Sequence, residues 1–242
     1  AIFLSVTDLW ELNCMRLLCL TRYDRSGASS RLRFYQFQHY LEAQGIVVHL
    51  SPLLPPYYLR DLYLFGKRPI KAIIGGYFRR ALGLICLDQY DLLWIEKELF
   101  PWIPLFEDLF FALIKSPYVV DYDDAVFHLY DEHPNRFVRS ALGTKHDAIM
   151  SKAKAVTVGS QYLAKRAKRA GAKDIFTVPT VVDMERYDIG KKNNHDFTIG
   201  WVGTPITEKY LEIVRKPLER IGAVATVRVR LVGASTKPLN SL

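Results

Sequence analysis

Hydrophobic residues fall along this chain in short continuous runs, each followed by a longer stretch where apolar and polar positions recur at helical spacing. Residues 16–21, RLLCLT, are the first run; residues 30–44 carry an amphipathic helical pattern closed by Gly45; residues 46–50 are the second run. That is a βαβ opening. Residues 51–69 are rich in Pro and Tyr and interrupt the alternation. The spacing then predicts a basic helix over 66–87, strands at 92–95 and 118–121 with a helix over 101–114 between them, and a helix over 137–151. A strand at 155–158 precedes a helix capped by Ser160 and ended before Gly171, and 175–178 is the last run of this unit. Short apolar strands alternating with helices predict a parallel sheet covered on both faces, an α/β Rossmann-like domain.

The alternation lapses over residues 184–196, a stretch of Lys, Asn and Asp suited to an interdomain linker. It resumes with a strand at 197–202, a helix over 207–221 and a strand at 227–232 that ends at Gly233. The expected organisation is an N-terminal extension over 1–14, a Rossmann-like domain over 15–183, a linker over 184–196 and the start of a second Rossmann-like domain over 197–242. A single βαβ unit leaves a parallel sheet unfinished, with an open edge and uncovered apolar surface.

Half of the 242 residues are hydrophobic, enough for a large core and too many for a disordered chain. The formal charge of +8 favours an anionic partner: a nucleotide diphosphate, an acidic membrane surface or a nucleic acid. Nucleic acid ranks last, because the basic residues interleave with acidic ones and match no RNA-recognition or helix-turn-helix pattern. Residues 66–87 mix Lys67, Arg68, Lys71, Arg79 and Arg80 with Ile73, Ile74, Tyr77, Phe78 and Leu82, the composition of a helix resting on anionic lipid, although Gly75 and Gly76 weaken a free-standing one. No window of eighteen apolar residues is free of charge, so no spanning helix is predicted. Cys14, Cys19 and Cys86 show neither disulfide nor metal spacing, and the first residues carry no secretion signal, so the cytoplasm, with the inner face of the membrane as a surface to touch, is the expected setting.

In a parallel α/β sheet, chemistry collects at the carboxyl ends of the strands. Three polar segments fall there. In DRSGASSR, after the first strand, Gly27 permits a tight turn, Ala28, Ser29 and Ser30 leave room for a ligand, and Arg31 and Arg33 add positive charge. In DYDDAVFH, Asp121, Asp123 and Asp124 crowd ahead of His128. That spacing suits helix capping, sugar hydroxyls or Mg²⁺, and His128 is the best-placed imidazole for proton handling. In GTPIT, Gly203 allows close approach, Thr204 and Thr207 offer hydroxyls, and Lys209 follows. Glu96 and Glu98, flanking Lys97, suit either a cleft or a solvated strand end.

Taken together, GASSRLR, VVDYDDAVFH, AVTVGSQYL, VPTVVD, IGWVGTPITEKYL and VRLVG resemble the retaining glycosyltransferases of GT-B type in family 4, the glycosyl transferases group 1, over residues 15 to about 235. The resemblance implies two Rossmann-like domains, the first binding mainly the acceptor and the second mainly a nucleotide-sugar. Gly27, Ala28, Ser29, Gly203, Thr204 and Lys209 would then face the donor and its phosphates. Arg31, Asp121 and Asp123 would face the acceptor, and His128 and Asp124 would be the catalytic candidates. It also implies metal-independent chemistry with no cofactor, positive side chains steadying the departing diphosphate. Two features depart from the family: Thr204 and a displaced Lys209 stand where relatives place Arg and Lys, and the paired glutamates of the donor pocket would fall beyond residue 242, so a fragment of such an enzyme is expected. A non-catalytic Rossmann-like module that binds an anionic glycan, lipid or nucleotide is the alternative.

Overall fold

Six parallel strands make the main sheet, in the order β2 (Val47–Pro52), β1 (Arg16–Thr21), β3 (Leu92–Glu96), β4 (Tyr118–Tyr122), β5 (Ala155–Val158) and β6 (Ile175–Thr177). The computed structural model describes residues 14–104, 110, 111, 116–186, 197–205 and 207–234. Outside them lie the expected extension up to residue 13, most of the helix expected over 101–114, linker residues 187–196 with His195, Ile206 and residues 235–242; the side chain of Cys86 is likewise outside. Contacts divide the chain into two units: residues up to 59 with 69–183, and residues 60–68 with those from 184 onward.

The first unit runs β1 (Arg16–Thr21), α1 (Ala28–Arg33), α2 (Gln38–Ala43), β2 (Val47–Pro52), α3 (Tyr57–Phe65, which continues into the second unit), α4 (Ile70–Gly83), β3 (Leu92–Glu96), β4 (Tyr118–Tyr122), α5 (His128–Asp131), α6 (Arg136–Leu142), α7 (Lys145–Lys152), β5 (Ala155–Val158), α8 (Gln161–Arg169) and β6 (Ile175–Thr177). Alternate residues of the central strands point to opposite faces. Leu18, Leu20, Leu93, Ile95, Val120, Tyr122, Val156 and Val158 join Phe127, Ile149, Met150, Leu163 and Ala167 in the larger core. Leu17, Cys19 and Val48 meet Phe34 and Tyr35 on the other face. Burial pushes the Cys19 thiol up to about 12, so it serves as a small hydrophobe.

Strands lie where the apolar runs predict them, and Ser160 caps α8 by accepting from the Leu163 N–H. The long helices differ. The helix expected over 30–44 is α1, a 3-10 turn at Tyr35–Phe37 and α2, because Phe34 leaves helical geometry (φ −129°, ψ −63°). Successive residues of an α-helix point about 100° apart. The break lets neighbours Phe34 and Tyr35 both bury against the sheet. The helix expected over 137–151 is α6 and α7, parted at Gly143 and Thr144, and α7 then turns Lys145 and His146 into the interior.

In the second unit β7 (Phe197–Val202) and β8 (Val227–Val232) pair in parallel, joined by a 3-10 turn at Glu208–Val214 and α9 (Arg215–Gly222). This is a small additional two-stranded sheet. Among the described residues, no helix is long and apolar enough to cross a membrane.

Candidate functional site

Chain order in the main sheet reverses at β1: the chain goes to β2 on one side and then returns to β3 on the other. Connections that leave adjacent parallel strands in opposite directions open a crevice beyond their carboxyl ends. Into it come the loop after β1, the first residues of α1, and the ends of β3 and β4.

Glu96 closes β3 and is 2 % exposed. Its Oε2 accepts from the Arg22 N–H at 2.8 Å and the Ser30 hydroxyl at 2.6 Å, which ties the β1 loop to the end of β3. Burial raises the Glu96 carboxyl above its usual range, although Lys97 and these two donors oppose the shift. Its Oε1, like the Arg22 Nε, is buried with no hydrogen-bond partner among the described residues. Lys97 follows with φ +65°, a left-handed backbone that a non-glycine residue seldom adopts. Its N–H bonds the Asp121 carbonyl at 3.0 Å, and its ammonium lies 2.7 Å from Asp123 Oδ1 and 3.4 Å from Ser29 Oγ. Burial works to raise the Asp123 carboxyl, and the Lys97 charge and hydrogen bond hold it below the usual range.

A second buried group braces the first. Glu98 pairs with the Lys145 ammonium at 2.8 Å and accepts from the Tyr130 hydroxyl at 3.0 Å. Burial acts to raise Glu98, but its charge partners, with Lys145 bonded directly, hold it below the ordinary carboxylate range. The Tyr122 hydroxyl donates to the Lys97 carbonyl at 2.9 Å and lies 2.9 Å from His146 Nδ1. Its single proton is thereby used, so His146 donates from Nδ1 and keeps a lone pair on Nε2, which is buried without a partner among the described residues. Burial holds the His146 pKa down at about 4.

The other sequence candidates fall into three groups. Gly27 packs so closely on Tyr23 that a Cβ there would overlap it, Ala28 is exposed, and Ser29 faces Lys97. Arg31 holds the same loop, donating to the Arg25 carbonyl at 2.9 Å. Asp121 is 1 % exposed and bound by Arg33 through both oxygens, at 2.9 and 2.5 Å, with Thr157 donating to Oδ1. Asp124 is exposed. In the second unit, the Gly203 N–H bonds the Val232 carbonyl, Thr204 and Thr207 bond one another, and the Lys209 ammonium lies over the Tyr210 ring. The structure therefore joins Ser29 to Asp123 through Lys97.

His128 lies on α5, with Nδ1 2.8 Å from Asp131 Oδ1 and 3.0 Å from Glu132 Oε1, and Nε2 2.7 Å from the Tyr162 hydroxyl. Arg166 holds the other Asp131 oxygen at 2.8 Å. The expected absence of a metal or cofactor is corrected here. Ligand atoms of His128, Asp131 and Glu132 lie within 4.8 Å of one another and can hold a metal ion. One helical turn brings positions three and four apart onto one face, and an imidazole nitrogen with two carboxylate oxygens is a donor set that first-row divalent ions accept. That spacing was readable in the sequence, whereas the buried pairing of Lys97 was not.

No protein-family model matches the chain, and no curated protein matches it. Among solved structures, the crystal structure of Arabidopsis thaliana UGT89C1 complexed with UDP is similar, with a TM-score of 0.47 and 10% identity, over 79% of this chain and 58% of that one.

Proposed function

We propose that the carboxyl edge of the main sheet binds a nucleoside-diphosphate sugar, and that the chain belongs to a retaining glycosyltransferase of GT-B type in family 4. The observation that carries this reading is Lys97, whose ammonium lies between the serine of the first loop and the aspartate-rich segment, two of the four motifs of the N-terminal unit that bear the resemblance. A positive charge fixed in a crevice largely shielded from water steadies a departing diphosphate better than a mobile surface charge. In this reading Gly27, Ala28 and Ser29 border the donor. Arg31 and Asp123 serve the acceptor side, and Asp121 acts through the Arg33 it holds. His128 and Asp124 are the catalytic candidates. In the second unit, Gly203, Thr204 and Lys209 are the proposed phosphate contacts.

The test is calorimetric titration of the whole chain with UDP, GDP and their sugar conjugates, each with and without Mn²⁺ because of the His128 cluster. One base is expected to bind at micromolar concentration. Lys97→Met should weaken that binding at least tenfold, about 1.4 kcal/mol, and Lys97→Arg should keep most of it. A folded chain that binds no nucleotide, or a Lys97→Met variant that binds as the parent does, overturns the reading.

A further inference from the structure

The helix α4 is amphipathic in the wrong sense for a solvated surface. Its inner face is made of Ala72, Gly76 and Arg80, all buried and spaced four apart. Gly76 sits so close to the Leu53 carbonyl that a Cβ would overlap it, and the Arg80 guanidinium donates to the Thr21 and Ser51 carbonyls at 2.6 and 2.8 Å. These contacts fix which way the helix faces. On the opposite side Ile70, Ile74, Phe78 and Leu82 recur at the same spacing and are 61, 64, 66 and 50 % exposed; Ile85, in the following 3-10 turn, is 74 % exposed. A surface helix that serves only its own domain turns such residues inward. Here Ala72, Gly76 and Arg80 are inside, and Ile70, Ile74, Phe78 and Leu82 are outside.

The charges beside this ridge select its occupant. Lys71 and Arg79 are exposed on α4, Lys67 and Arg68 precede it in the sequence, and no Asp or Glu occurs from residue 66 to residue 87. Two copies of a face on which the exposed Lys71 and Arg79 outnumber the one acid of the following turn, Asp88, would bring like charges together. A bilayer with anionic headgroups supplies the opposite charge at the level of the lysine and arginine heads and apolar depth for the isoleucines and phenylalanine. We propose that the outer face of α4 docks on an anionic lipid surface, lying in the plane of the interface with Ile70, Ile74, Phe78, Leu82 and Ile85 inserted. Nucleotide binding at the sheet edge takes no part in this inference.

Vesicle flotation of the whole chain tests it, with phosphatidylcholine alone and with one quarter phosphatidylglycerol. Binding is expected to the anionic vesicles, at least tenfold weaker to the neutral ones, and reduced by raised salt. Ile74→Ser with Phe78→Ser should lower it at least tenfold while far-ultraviolet circular dichroism stays unchanged, since both side chains lie outside the packed core. Lys71→Glu should lower it severalfold with the apolar ridge intact. Absence of binding, equal binding to neutral vesicles, or full binding by the double variant overturns the proposal. A concentration-dependent dimer abolished by the double variant, with no vesicle binding, assigns the ridge to a second copy instead.

Discussion

Lys97 shows how one residue's backbone can organise a site. At φ +65° an L-residue gives up about 1–2 kcal/mol to contact between its Cβ and its own backbone. In return the chain turns at the end of β3 so that Glu96, Lys97 and Glu98 are all buried, each facing a different partner. Replacing Lys97 removes the partner of Asp123 in either of two variants, but only glycine relieves the backbone. Lys97→Gly should therefore be more stable than Lys97→Ala by about 1 kcal/mol, measured as a shift in the urea midpoint at constant slope. None of this was legible in the tripeptide Glu-Lys-Glu, which suits a solvated strand end equally well. Its burial depends on Lys145, 47 residues beyond Glu98, and on Asp123, neither of which local composition can bring near.

At the scale of elements, apolar runs marked the strands because a buried parallel strand needs little beyond continuous hydrophobicity and a turn at each end. The described strands Arg16–Thr21, Ala155–Val158, Phe197–Val202 and Val227–Val232 coincide with those runs. Helix continuity was less legible, since the breaks at Phe34 and Gly143 answer to packing against distant strands. The α4 helix makes the same distinction testable with its adjacent glycines. A Cβ at Gly76 would meet the Leu53 carbonyl, whereas a Cβ at Gly75 meets nothing within 4 Å. Gly76→Ala should destabilise by about 1–3 kcal/mol through overpacking, and Gly75→Ala should stabilise by up to about 1 kcal/mol through helix propensity. Thermal unfolding of the two variants separates these effects by sign.

For the whole molecule, the buried charges set how stability responds to acid. His146 titrates near 4 when folded against 6.5 ordinarily, so between those values the unfolded chain holds a proton that the folded chain refuses. Its contribution is complete above about pH 6.5 and is lost as pH falls, by about 3 kcal/mol at pH 4. Glu98 and Asp123, both held low, lose their contribution in the same direction at and below the usual carboxylate range. Glu96, held high, opposes them, because the folded state keeps its proton to a higher pH. Urea midpoints should therefore fall between pH 6.5 and pH 4, and His146→Asn should flatten that fall. An unchanged slope in the variant would remove His146 from the account.

The Arg33 clasp ties the order of synthesis to the order of folding. Its guanidinium holds Asp121, 88 residues on, and the Val178 carbonyl, 145 residues on. At 5–20 residues per second a ribosome makes Arg33 and Val178 about 7–30 s apart. For the first 88 of those residues, about 4–18 s, the nascent chain carries a charge destined for burial with no Asp121 to answer it, beside a sheet still missing its far strands. The N-terminal unit thus completes this clasp only once its last strand has been made, after every other strand of the main sheet.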